Sequence, residues 1–265
     1  MKHASRVDEA LSRAVLYRLA SHAFRDPPPS WPAEWDAIAR GAGSALEELG
    51  DGPESDRLCD AFDALAGRAL GLEELQTAHA RLFGHTLRAA VVPYETEWDP
   101  AAGQILQAHL LADLAAFYRA FGLELAPCGE RVDHLSVELS FLQFLAVKEA
   151  LAAERGQGEL ADVARDAERR FLAEHIGRWV PGLCRKLAML DAQGFHGCAA
   201  EFLEQLLASE SRRLDARAAP VAELPRESAL ALEDCCMGCD HEASCLEVHR
   251  AFDFARGAES RGDPP

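Results

Sequence analysis

The sequence lacks the signatures that most directly reveal a catalyst. It contains no G-x-G-x-x-G, no P-loop, no H-E-x-x-H and no G-x-S-x-G. The dinucleotide, nucleoside-triphosphate, zinc-protease and serine-hydrolase templates therefore do not apply. Glu-x-x-His occurs nowhere, which removes the usual di-iron carboxylate bundle. No run approaches the ~18 uninterrupted apolar residues of a membrane span. The first twenty residues carry a charge every few positions and no apolar core, so no signal peptide is expected and the cytoplasm is the expected location. Aromatic residues make up only 7% of the chain, and no stretch alternates apolar and polar residues for long, so essentially no sheet is expected. Positive charge is scarce: 27 basic against 44 acidic residues give a formal charge of -17. Phosphate binding needs clustered Lys and Arg, so nucleic acid is an unsuitable partner. An acidic surface suits a basic partner, or simply keeps the protein in solution.

What is present is helix-forming material. Of 265 residues 49% are hydrophobic, with Ala and Leu dominant, which suffices for a sizeable helical core. Ser5 and Asp8 have the spacing of a capping box, and Leu11, Val15 and Leu19 follow on one helical face. Arg25 to Pro32 breaks that helix and forms a stiff connection. Residues 41–55 are rich in Gly and acidic side chains and read as loop around a weak helix. Helices are expected over 54–70 (Leu58, Phe62, Leu65, Ala69 inward), 73–83 (Leu75, Ala78, Leu82) and 104–121 (Leu106, Leu110, Leu114, Phe117, Phe121), with Gly122 as the stop. Further helices are expected over 134–154 (Leu135, Leu139, Leu142, Ala146), 160–176 and 183–190, the last two split by Pro181-Gly182. A final helix over 195–214 turns Ala199, Phe202 and Leu206 inward. The helical domain is expected to occupy 1–215, followed by a Pro/Ala linker at 216–232, a Cys-rich module at 233–254 and a disordered tail at 255–265.

Eight cysteines in a reducing compartment point away from disulfides. Cys59, Cys128, Cys184 and Cys198 are scattered and read as small hydrophobes or surface thiols. Cys235, Cys236, Cys239 and Cys245 are clustered, with His241 and His249 beside them. A Gly-containing C-x2-C knuckle lets two thiolates face one ion, so the cluster could hold zinc or an iron–sulfur centre. A set of reactive thiols on a loose tail is the plainer account.

Two other segments could carry function. Residues 84–103 lose helical period over a length that, inside a compact domain, usually marks a functional or mobile loop. Pro93, Tyr94, Glu95 and Trp98 lie there. An exposed Tyr and Trp beside carboxylates would suit an apolar-basic peptide; equally, the aromatics could pin the loop to the core. Glu130, Asp133 and His134 crowd the entry to the helix that follows. Asp133 could simply cap that helix. His134 and Glu138, four residues apart, could pair and so raise the imidazole pKa. Trp179 reads as packed beneath a helix-ending Pro181.

Taken in order, these motifs resemble the TorD/DmsD family of redox-enzyme maturation chaperones, relatives of the NarJ group. Glu130-Arg131-Val132-Asp133-His134 with Leu135, Glu138, Leu139, Phe141 and Leu142 is similar to that family's E-P-x-D-H helix entry. Leu82-Phe83 with Pro93-Tyr94-Glu95 and Trp98 is similar to its L-F…P-Y-E-S-x-[YW] segment. Phe171-Leu172, His175, Trp179 and Pro181 match its F-L…H-L-x-x-W-x-P helix. Arg131 stands where the signature has Pro, and Thr96 where it has Ser; the Cys-rich tail is outside the pattern. The resemblance implies a single all-α, multi-helix bundle with no catalytic residues. It implies a partner: the apo form of a dimethyl sulfoxide reductase-type molybdoenzyme and its twin-arginine signal peptide, held until molybdopterin is inserted. Leu82, Phe83, Pro93, Tyr94, Glu95, Trp98, Glu130, Asp133, His134 and Glu138 would line or shape the peptide-binding region. Glu95, Glu130 and Asp133 would meet the arginines, and Leu82, Phe83 and Trp98 the apolar run. Nucleotide binding has been proposed for relatives, but nothing here looks like a phosphate cradle. A monomer or homodimer is expected. The rival reading is a metal- or redox-sensing regulator that uses the C-terminal cysteines.

Overall fold

The computed structural model describes residues 5–49, 52–68, 70–84, 89–98, 104–124 and 130–219. Among them are nine α-helices: α1 (Arg6–Phe24), α2 (Trp31–Glu48), α3 (Pro53–Ala66), α4 (Leu72–Phe83), α5 (Gln104–Ala120), α6 (Leu135–Glu154), α7 (Gly158–Phe171), α8 (Gly177–Asp191) and α9 (Phe195–Leu214). No strand occurs among the described residues; one isolated antiparallel bridge joins Tyr94 to His134. The all-α expectation holds. The expected cysteine module and tail, including Cys235, Cys236, Cys239, Cys245 and His241, lie outside the described residues, as does Cys128.

α1 starts where its sequence says it should. Ser5 Oγ accepts from the Asp8 amide at 3.2 Å while Asp8 accepts from the Ser5 amide at 3.3 Å, a reciprocal capping box. Of the expected inward face, Leu19 is buried and Val15 packs on the core, but Leu11 does not join them. Leu11 is 45% exposed, whereas Arg13, Leu16, Tyr17 and Ala20 are buried. α1 packs against α2, α6 and α9 at once, and so buries most of its circumference. A helix covered on several sides has no single apolar stripe to read.

α2 runs straight through the glycines expected to be loop. A Cβ on Gly41 would sit 3.5 Å from the Val15 side chain, and one on Gly43 3.7 Å from Phe62. Those are ordinary contacts that a methyl group would fill; the burial of Ala42, Ala45 and Leu46 in the same stretch outweighs the poor helix propensity of the glycines. Trp31 and Trp35 stack at 4.9 Å, with His22 on one side of the pair and Phe195 edge-on, joining α1, α2 and α9.

Pro181 does not end a helix. α7 continues through a π turn (Leu172–Ile176) into α8, and Pro181 lies inside α8. The wide turn sits just ahead of the proline. π turns and prolines are where a helix kinks without breaking. α8 and α3 both pack on α9, which ends at Asp215 with φ 49, the left-handed conformation that Asp tolerates.

The four helices α1, α6, α7 and α9 enclose a charge network that periodicity did not anticipate. Arg13 donates to both Glu168 oxygens at 2.9 Å and also bonds Glu149. Arg213 reaches Glu168 at 2.9 Å and Glu210 at 2.8 Å, and the Tyr17 hydroxyl donates to Glu210 at 3.1 Å. Arg6 closes the outer end on Glu149 at 3.0 Å. Burial opposes the charge on Arg13, but Glu168, Glu210 and Glu149 more than restore it and raise its pKa.

Candidate functional site

The second polar cluster is built from loops. The chain leaves α4 and returns to it, with the Val91 amide donating to the Leu82 carbonyl at 2.8 Å. It then runs antiparallel to the entry of α6: the Glu95 amide donates to the Asp133 carbonyl at 3.0 Å, and the Leu135 amide to the Pro93 carbonyl at 2.9 Å. A 3-10 turn (Glu95–Glu97) follows, and the Trp98 indole donates to the Val92 carbonyl at 2.8 Å. The Tyr118 hydroxyl of α5 donates to the Val132 carbonyl at 2.8 Å. The two segments that sequence reasoning singled out are thus one structure.

Asp133 is 0% exposed and sits at its centre. It does not cap α6. It accepts from the Thr96 hydroxyl at 2.8 Å and from Arg131 Nε and a terminal Arg131 nitrogen at 3.0 and 2.8 Å. Arg131 also donates to Thr96 Oγ1 at 2.8 Å and lies 4.4 Å over the Tyr94 ring. The two departures from the family pattern therefore work together: a threonine keeps the hydroxyl, and an arginine ties the turn that a proline would have stiffened.

His134 is the residue that caps α6. Its Nδ1 accepts from the Ser136 amide at 3.2 Å. The expected His134–Glu138 pair does not form. Burial, followed by the charges of His79 and Arg131, pushes the His134 imidazole down to about 3, so it is neutral at pH 7. Glu138 points instead at α8 and accepts from the Trp179 indole at 3.2 Å; its Oε1 meets no hydrogen-bond partner. Burial, and then the nearby Glu95 and Asp133, push the Glu138 carboxyl well above the usual carboxylate range.

Glu95 faces the π turn. Its carboxyl lies 3.1 Å from His175 Nδ1, and the other ring nitrogen is 3.7 Å from Asp113 of α5. The His175 ring meets Phe117 edge-on at 5.3 Å. A π turn with a buried, hydrogen-bonded histidine is a common mark of function. His175 was noted only as part of a motif, and its pairing with Glu95 across some eighty residues of sequence had no local signal.

Most of the residues expected to line a peptide site are inside. Leu82, Phe83, Pro93, Glu95, Trp98, Asp133, His134 and Glu138 are buried; Tyr94 is half-buried and Glu130 exposed. The structure brings the residues from 93 to 98 together with Asp133, His134 and Glu138, and backs them with Trp98 against Trp179 at 6.2 Å. No group of three or more His, Cys, Asp or Glu among the described residues has metal-site geometry. No helix among them is long and apolar enough to cross a membrane.

The described residues form an all-helical bundle that buries an acidic cluster where two loops meet α6. The family model described as "Nitrate reductase delta subunit" matches residues 45–185, and the chain belongs to that family. It is 33% identical over 139 residues to the selenate reductase assembly chaperone protein of Thauera selenatis, covering 52% of this chain and 68% of the relative. It is 31% identical over 150 residues to the chlorate reductase assembly chaperone protein of Ideonella dechloratans (54% and 73%). It is 24% identical over 163 residues to the chaperone protein TorD of Vibrio cholerae (61% and 72%). These relatives are named as chaperones, not as enzymes.

Proposed function

We propose that this protein is a cytoplasmic, non-enzymatic maturation chaperone for the catalytic subunit of a molybdenum-containing reductase. It binds the twin-arginine leader of the apo-enzyme and delays export until molybdopterin has been inserted. The observation that carries this reading is family membership with three relatives named as chaperones, joined to a chain with a formal charge of -17. A leader of paired arginines followed by an apolar run is the complement of an acidic helical surface.

In this reading Tyr94 and Glu130 contact the leader, while Leu82, Phe83, Pro93, Glu95, Trp98, Asp133, His134 and Glu138 fix the shape of the region from behind. The cysteine-rich segment after residue 219 is an appendage to the chaperone unit, and Cys235, Cys236, Cys239 and Cys245 with His241 are its metal-binding candidates. The test is fluorescence titration of the full chain with a labelled synthetic peptide bearing two arginines and a following apolar run. Saturable binding that is lost when both arginines become alanine supports the proposal. No saturable binding, or binding indifferent to the arginines, refutes it.

A further inference from the structure

With the motif residues largely buried, an apolar leader needs another surface, and one lies directly behind His175. A cavity of about 500 Å³ opens between α5 and α7. Phe117 and Phe121 form its α5 side and Val163 its α7 side; the carboxyls of Glu159, Asp162 and Asp166 stand around it. Val163 is 57% exposed and Leu160, three residues earlier on the same helix face, is 56% exposed. With Phe117 and Phe121 they extend an apolar strip from the cavity along α7. Among the residues that line the cavity the cation is Arg170, already held by Glu174 at 3.3 Å and lying 5.4 Å over the Phe117 ring. Asp162 and Asp166 are bonded to Arg6 and Arg169, but these are solvent-exposed pairs that a competing guanidinium can displace at small cost.

The floor is continuous with the motif cluster. Phe117 touches His175, which bonds Glu95. A segment seated in the groove would therefore press on the side chain that joins α5, the π turn and the 3-10 turn.

We infer that the α5–α7 groove is the seat of the leader's apolar run, with Glu159, Asp162 and Asp166 receiving its arginines. This rests on the function proposed above and places the contact surface. A second copy of the chain is a poor occupant, because a self-complementary contact would set these carboxyls against one another. Residues 220–265 are a poor occupant for the same reason, carrying more acidic than basic side chains. A basic-apolar peptide satisfies both the floor and the rim.

The experiment compares Val163→Asp and Asp166→Arg with the unmodified full chain, using the labelled twin-arginine peptide and a second peptide in which both arginines are glutamate. Both positions are exposed, and circular dichroism verifies that the variants are folded. The expected result is at least tenfold weaker binding of the arginine peptide to each variant, with Asp166→Arg gaining affinity for the glutamate peptide. Unchanged affinity in folded variants, while the unmodified chain binds, overturns the groove and leaves the proposed function standing. Failure of the unmodified chain to bind the arginine peptide removes the function reading itself. A change in sedimentation mass of peptide-free Val163→Asp would make the groove a self-association surface and overturn the inference.

Discussion

Two of the polar clusters buried among the described residues are built on opposite plans. Around Arg13 each carboxyl faces a guanidinium: Glu149, Glu168 and Glu210 are met by Arg6, Arg13 and Arg213, and every partner is held by a helix. Around Asp133 the carboxyls of Glu95, Asp133 and Glu138 share one half-exposed arginine, an imidazole and an indole, and loops hold most of them. Balanced charge on rigid elements fastens four helices together. The Asp133 cluster holds more carboxyl than cation, and it lies behind the α5–α7 groove through His175 and Phe117. Burying any of these groups without a partner is costly, and each cluster leaves few such atoms: Arg13 Nε and one Arg213 nitrogen in the first, Glu138 Oε1 and His175 Nε2 in the second.

The contrast can be broken by mutation, in descending order of effect. Arg13→Ala removes the central guanidinium from three buried carboxyls, leaving them Arg6 and Arg213, and should cost about 3–5 kcal/mol in urea unfolding; peptide affinity of the molecules that remain folded should not change. Asp133→Ala leaves Thr96 and Arg131 without their acceptor and should cost about 1.5–3 kcal/mol, with weakened peptide binding as well. Loss of stability without loss of binding would place the Asp133 cluster in the same structural role as the Arg13 cluster.

The pH dependence separates smaller terms. His196 is buried beside Phe83 and Phe195, neither ring nitrogen has a hydrogen-bond partner, and burial followed by the charges of His79 and Arg81 pushes it down to about 3. The folded state therefore keeps it neutral, while the unfolded chain takes up a proton below about 6.5. Its contribution is complete above that pH and is lost as pH falls toward 3, by up to about 1.36 kcal/mol per unit. His196→Leu should flatten the acid limb of a stability-versus-pH curve. Glu138 has the opposite sign. Its raised folded pKa favours folding below the ordinary carboxylate range and loses that benefit as pH rises. Glu138→Gln keeps an acceptor for Trp179 and should gain on the unmodified chain as pH increases, the smallest of the four effects near pH 6.

Much of the fold was legible where a helix presents one face. Leu58, Phe62 and Leu65 of α3, the inward set of α9 and the Ser5–Asp8 box are read directly from spacing, while Ala69 lies outside the described residues. Reading failed where packing on several sides decides, as in α1, or where buried residues carry glycines into a helix, as Ala42, Ala45 and Leu46 do for Gly41 and Gly43. The Arg13 cluster was missed because charged residues were assigned to solvent. A signal existed: Glu210 falls in register with Leu203, Leu206, Leu207 and Leu214, an apolar position for a charge. At the motif site, the order of the motifs singled out residues that the structure gathers into one cluster, but not which of them would face outward. Glu95 and His175 meet only through the tertiary path of the chain.

The most direct test of the account is amide hydrogen exchange on the full chain with and without the twin-arginine peptide. Added protection in residues 89–98, in α5 and along α7 near Val163, with none in the Arg13-facing turns of α1 and α9, is the predicted result. Protection confined to the Arg13 cluster, or no change anywhere at saturating peptide, would contradict it.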